Sequence, residues 1–140
     1  MVFSMITSTE EYEAILEHED SDVRRRAISE EANEQTWMEI LEKRSDLSAE
    51  IAMNKKLPSS IIDRLILSEC SRTRSLIAMK RALSDEQFAK LAVDEDESVR
   101  TMIANNKKTP HMLLEQLASD RCLIVANAAT RQLQNRGNAS

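Results

Sequence analysis

The chain has 140 residues, with 19 Lys and Arg against 24 Asp and Glu, for a formal net charge of −5. Charged residues make up 31% and hydrophobic residues 41%, a globular balance, and a chain of this length buries about 70% of its unfolded surface. Aromatics at 3%, one Gly and two Pro argue against a sandwich, a barrel or a glycine-loop nucleotide fold, and two Cys cannot make a disulfide framework.

In chain order, the segment Met1 to Ile6 lacks the basic and apolar regions of a signal peptide. No later run approaches the ~20 apolar residues of a membrane span, so a cytoplasmic protein with reduced thiols is expected. Residues 8–18 read as one N-terminal capping helix. Ser8 and Glu11 form a capping box, and Tyr12, Ile15 and Leu16 form an apolar stripe.

Beyond it the chain repeats itself. Ile51-Ala52-Met53-Asn54-Lys55-Lys56-Leu57-Pro58 and Ile103-Ala104-Asn105-Asn106-Lys107-Lys108-Thr109-Pro110 share six of eight positions at an offset of 52. Halfway between lies Ile77-Ala78-Met79-Lys80-Arg81-Ala82-Leu83-Ser84, so the period is 26. Ile62, Phe88 and Leu114 follow each alanine by ten residues, and Leu65, Leu91 and Leu117 by thirteen, a spacing that puts each pair on one helical face. Upstream, Val23-Arg24 matches Val99-Arg100, and Trp37, Met38 and Leu41 are set against Leu113, Leu114 and Leu117.

The repeats are thus 19–44, 45–69, 70–94 and 95–120, followed by a C-terminal capping helix at 121–134 and a polar, frayed tail at 135–140. Each repeat reads as helix, turn, helix, turn. Pro58 and Pro110 suit the first turn of the second helix, and Ser84 with Gln87 supplies the same start by a capping box. Asn54 and Asn106 fall where the first helix ends, a place suited to a left-handed cap. No repeat has the apolar surface to fold alone, so the expectation is an all-α single domain: a short α-solenoid, about 40–50 Å long at the usual 8–10 Å helix spacing.

The run Asp94 to Asn106 (acidic residues, Val99-Arg100, then Ile103-Ala104-Asn105-Asn106), followed by Thr109-Pro110, resembles the signature of the leucine-rich repeat variant family. The resemblance covers about residues 20–130. It implies a helical superhelix related to armadillo and HEAT arrays, and carries no activity with it. The repeat 70–94 departs from the pattern by lacking the Asn and Pro, and Glu30 and Glu31 stand where other repeats have bases. Some members carry a cysteine cluster ahead of the repeats, whereas the first Cys here is Cys70, so no iron–sulfur site is expected.

Candidate chemistry is sparse. Cys70 and Cys122 lie two repeats apart and read as small buried thiols rather than a shared metal or disulfide. His18 and His111 have no ligand-spaced partners and read as surface residues. No phosphate loop, nucleophile elbow or Cys–His pair is present, so neither catalysis nor a metal or other cofactor is expected.

The charges are sorted by the repeat. Lys55, Lys56, Lys80, Arg81, Lys107 and Lys108 occupy the turn after each first helix, whereas Glu19, Asp20, Asp22, Asp94, Glu95, Asp96, Glu97 and Asp120 occupy the turn between repeats. Dipole complementarity explains part of this, since acids precede helix N-termini and bases follow C-termini. Aligned like charges also steer an oppositely charged partner. The acidic edge suits a basic protein, as in small bacterial immunity proteins that block nuclease-type toxins. The alternatives are a nucleic-acid binder using the lysine edge, which lacks stacking aromatics, and a structural scaffold.

Overall fold

The computed structural model describes residues 5–138 and is all-helical, with one isolated parallel bridge, Met5 to Glu31, in place of any strand among those residues. Where one domain is expected, the chain forms two compact units that divide between Ser68 and Glu69, one residue before the expected boundary between 45–69 and 70–94.

In the first unit, α1 (Thr9–Glu17) packs on α2 (Ser21–Arg24), α3 (Arg26–Ser29) and α4 (Glu34–Lys43). A 3-10 turn (Ser45–Leu47) leads into α5 (Ser48–Ala52), which meets α3 and α6 (Ser59–Ile66), while α6 also meets α4. The core centres on Tyr12 and Trp37, both fully buried, whose rings meet edge-on at 5.7 Å and 81°. Arg44 ties α1 to the following turn by pairing with Glu13 at 2.9 Å and with Asp46 at 2.9 Å.

Ser8 caps α1 by accepting from the Glu11 N–H, but the Glu11 carboxylate turns to the Thr7 N–H and hydroxyl, so the capping box is only half made. Burial also shifts the upstream alignment by one residue. Trp37 and Ile40 are buried, as Leu114 and Leu117 are, while Met38 and Leu41 lie at the margin.

In the second unit, α7 (Ser71–Ala78), α9 (Glu97–Asn105) and α11 (Leu123–Asn138) form one layer, with α9 in contact with both neighbours. The second layer is α8 (Asp85–Ala92) and α10 (His111–Leu117), which pack on each other and on α9. Burial follows the 26-residue offset. Ile51, Ile77 and Ile103, Ala52, Ala78 and Ala104, and Leu65, Leu91 and Leu117 are all buried. The Ser84–Gln87 capping box is present in full.

Pro58 and Pro110 sit at the N-cap with extended ψ of 149° and 140°, one place before the first helical turn. The frayed tail is not observed: α11 runs on to Asn138, and Arg136 donates to the Lys107 carbonyl at 2.9 Å. Residues 139–140 lie outside the described residues.

The asparagines act differently from a left-handed cap, because no described residue has positive φ. Each is buried and reaches back one repeat. Asn54 Nδ2 donates to the carbonyls of Ala27 and Glu30 at 2.9 and 2.8 Å, and its Oδ1 accepts from the Lys56 N–H. Asn106 does the same, to Ala78 and Lys80 at 2.8 Å each and from the Lys108 N–H. A short helix leaves its last carbonyls without intrahelical partners, and one carboxamide satisfies two of them from the next repeat.

Replacing Asn106 by Ala strands these buried groups, at a cost of about 2–4 kcal/mol from roughly 1–3 kcal/mol per unsatisfied group. Asn105→Ala, at an exposed neighbour, is expected to change stability far less. Urea-unfolding midpoints of the two variants, compared at equal slope, provide the check.

Candidate functional site

The turns that hold Asp94 and Asp120 are each built around an arginine. Arg74 and Asp94 form a two-pronged pair, Nε to Oδ2 at 2.8 Å and Nη2 to Oδ1 at 3.2 Å. Arg100 and Asp120 repeat it 26 residues on, at 2.8 and 3.1 Å. Both pairs are withdrawn from water, with side-chain exposures of 10% and 9% in the first and 4% and 9% in the second.

The Asp oxygens also accept backbone N–H groups two residues later, Asp94 from Asp96 and Asp120 from Cys122. Arg100 further donates to the carbonyls of Asp94 and Glu95, and Arg24 makes the same two bonds to His18 and Glu19. There the His18 ring stands in for Asp94, its Nδ1 accepting from the Asp20 N–H. His18 is therefore a surface residue that also organises a turn.

This separates the eight acidic positions by role. Asp94 and Asp120 are half-buried structural partners and do not form a solvated edge, because a guanidinium on α7 or α9, 20 residues upstream, claims both oxygens. Asp20 and Asp96 are N-caps that accept from Asp22 and Ser98, and Asp22 pairs with Arg25 at 3.1 Å. The bond from the Ser98 hydroxyl leads the causes that hold Asp96 below the ordinary carboxylate range. Glu19, Glu95 and Glu97 remain as exposed carboxylates.

In the second unit the acids converge with Glu69, which occupies the repeat position of Glu95. Glu69, Ser71, Arg74, Glu95, Asp96 and Glu97 line an open depression of about 640 Å³. Glu69 was missed in the sequence, although the 26-residue offset from Glu95 marks it. Arg74 and Arg100 were missed as stitching residues, although the matching recurrence of Asp94 and Asp120 was there to read.

On the basic side, Lys55, Lys56, Arg81, Lys107 and Lys108 are exposed. Lys80 is half-buried, and burial pulls its ammonium below the ordinary lysine value, which weakens the ridge at that position.

The thiols are not buried: Cys70 is exposed and Cys122 half-buried, because both stand at the turn before a helix rather than on its apolar face. The Thr73 hydroxyl, then its backbone N–H, hold the Cys70 thiol below its ordinary value. His111 is exposed and lies 3.0 Å from Glu115. Among the described residues, no group of His, Cys, Asp and Glu is placed to hold a metal, and no helix is long and apolar enough to cross a membrane. No family model matches the chain, and neither a curated protein nor a solved structure matches it.

Two outcomes are expected. Burial alone would raise Asp120, but the hydrogen bonds from Arg100 and the Cys122 N–H outweigh it and bring it below the ordinary carboxylate range. A depressed folded-state value contributes stability above the unfolded value, lost as pH falls through the folded one. Urea-unfolding free energy is therefore expected to fall below about pH 4, and Asp120→Asn to flatten that slope while lowering stability at neutral pH. At mildly alkaline pH, Cys70 is expected to react with iodoacetamide faster than Cys122, as read by peptide mass mapping.

Proposed function

We propose that the chain is a short α-solenoid of two-helix repeats, of the leucine-rich repeat variant kind, that works as a non-enzymatic protein-binding module. Its proposed partner is a basic protein, and the role that fits best is that of an inhibitor or immunity protein acting against a basic, nuclease-type toxin domain.

The observation that carries the reading is the acidic depression of the second unit. Four carboxylates, from Glu69, Glu95, Asp96 and Glu97, share it with one cation, Arg74, whose charge is already matched by Asp94. An open hollow with net negative charge raises the local concentration of a cationic partner and speeds its arrival, while rejecting acidic competitors. The buried Arg–Asp pair beneath it keeps the rim in place, so little ordering remains to be done on binding. The opposite, lysine-bearing turns support nucleic-acid binding less well, since Lys80 is drawn inward and no aromatic stands among them.

The test is a pull-down from the source cell at low salt, followed by calorimetry of the recovered partner at two ionic strengths. Glu95→Lys with Glu97→Lys is expected to weaken binding at least about tenfold and to remove most of its salt dependence. Unchanged affinity and salt dependence in the double variant, with its melting temperature preserved, would overturn the assignment of this face. Recovery of nucleic acid instead of protein would overturn the partner class.

A further inference from the structure

Two hollows flank α9 on the exposed side of the first layer. One, of about 240 Å³, is lined by Glu97, Ser98, Thr101, Met102, Cys122 and Ile124, between α9 and the start of α11. The other, of about 210 Å³, is lined by Met79, Arg81, Met102, Asn105, Asn106 and Lys107, between α9 and the end of α7. Met102 belongs to both, so they form one surface that crosses α9 obliquely.

On α9 itself the lining positions are Glu97, Ser98, Thr101, Met102 and Asn105, the last four of them a single stripe at helical spacing. Met102 supplies the apolar part of the floor, and the flanks include large apolar side chains left in water: Met79 is 58% exposed and Ile124 66%. Each hollow is smaller than the roughly 300–1,000 Å³ of a small-molecule pocket, and each suits one inserted side chain. Their lining stripes on α9 are centred about four residues apart, or about 6 Å at the rise of an α-helix, close to its pitch. The hollows also lie on the two sides of α9, one toward α11 and one toward α7, so side chains from the two flanks of a helix laid over α9 enter them.

The charge at the two ends is opposite. Glu97 borders the first hollow, with Glu95 and Asp96 just before it in the chain, whereas Arg81 and Lys107 border the second. A helix carries partial positive charge at its start and negative at its end, and favours acids in its first turn and bases in its last. Laid antiparallel to α9, such a helix places its acidic first turn at Arg81 and Lys107 and its basic last turn at Glu97. The reverse direction sets like charges together at both ends.

We propose that this face of α9 receives an amphipathic helix of a protein partner, running antiparallel to α9, with apolar residues from its two flanks in the two hollows and bases at its C-terminal end beside Glu97. The proposal rests on the protein-binding reading and specifies the chemistry of the partner segment.

The probe is a stapled 14-residue helical peptide labelled with fluorescein, with Glu in the first turn, Leu along one face and Arg in the last turn. It is titrated by anisotropy into the full chain carrying Cys70→Ser. Saturable binding is expected, with Met102→Glu and the exposed-site variant Met79→Glu each weakening it at least about tenfold. A peptide with the two charge blocks exchanged is expected to bind at least about tenfold less tightly. An activated disulfide at the peptide C-terminus is expected to capture Cys122 faster than one at the N-terminus.

Absence of saturable binding up to millimolar peptide, indifference to both Met variants, or faster capture from the N-terminus overturns the proposal. A lysine-rich peptide without apolar residues, run alongside, separates the two readings. If it binds in a manner lost on reversal of Glu95 and Glu97 while the helical peptide fails, only the α9 face is refuted. If neither peptide binds, the acidic surface is refuted with it.

Discussion

Short helices leave much of their backbone unpaired, and that constraint governs this protein. An α-helix of eight or nine residues has as many carbonyls without intrahelical partners as with them. α7, α8 and α9 are of this length, and α5 has five residues. Such elements persist only if each turn is closed by something outside the helix it ends. Here the closure comes from neighbouring helices: a carboxamide reaches back to two carbonyls at one turn, and at the other a guanidinium reaches back to two carbonyls and forward to an aspartate. Apolar packing supplies most of the cohesion, but these polar contacts set the register in which one helix pair meets the next.

The same constraint decides what the surface charge means. An aspartate that receives both an arginine fork and a backbone N–H is part of the framework, and removing its partner would leave an isolated buried charge. Asp94 and Asp120 are in that position. The glutamates beside them carry the charge that faces water, and the 26-residue offset gathers Glu69, Glu95 and their neighbours around one hollow. The framework and the candidate binding surface are therefore two uses of adjacent residues in one turn, with the buried pair fixing the backbone from which the exposed acids project.

A second consequence concerns α9. Lying between α7 and α11, it buries Val99, Ile103 and Ala104 and leaves Ser98, Thr101, Met102 and Asn105 outward. The small side chains at 98 and 101 keep the floor low, while Met79 and Ile124 rise on either side. Methionine adapts to varied apolar partners, and the polarity from Glu97 to Lys107 supplies direction. Surface relief and field act together there, the relief admitting side chains and the field orienting the segment that bears them.

Much was determined by the sequence alone. The all-helical composition, the 26-residue period, the buried Ile–Ala and Leu positions and the Ser84–Gln87 cap are local or periodic properties, legible because each depends on residues within a turn or two of one another. What only tertiary structure decided involves groups some twenty or more residues apart: the reach of Asn106 to Ala78, the pairing of Arg100 with Asp120, and the convergence of Glu69 on Glu95 and Glu97. Composition tells that a residue is charged or polar. Whether that charge meets a guanidinium or water depends on which turn the next helix pair brings against it.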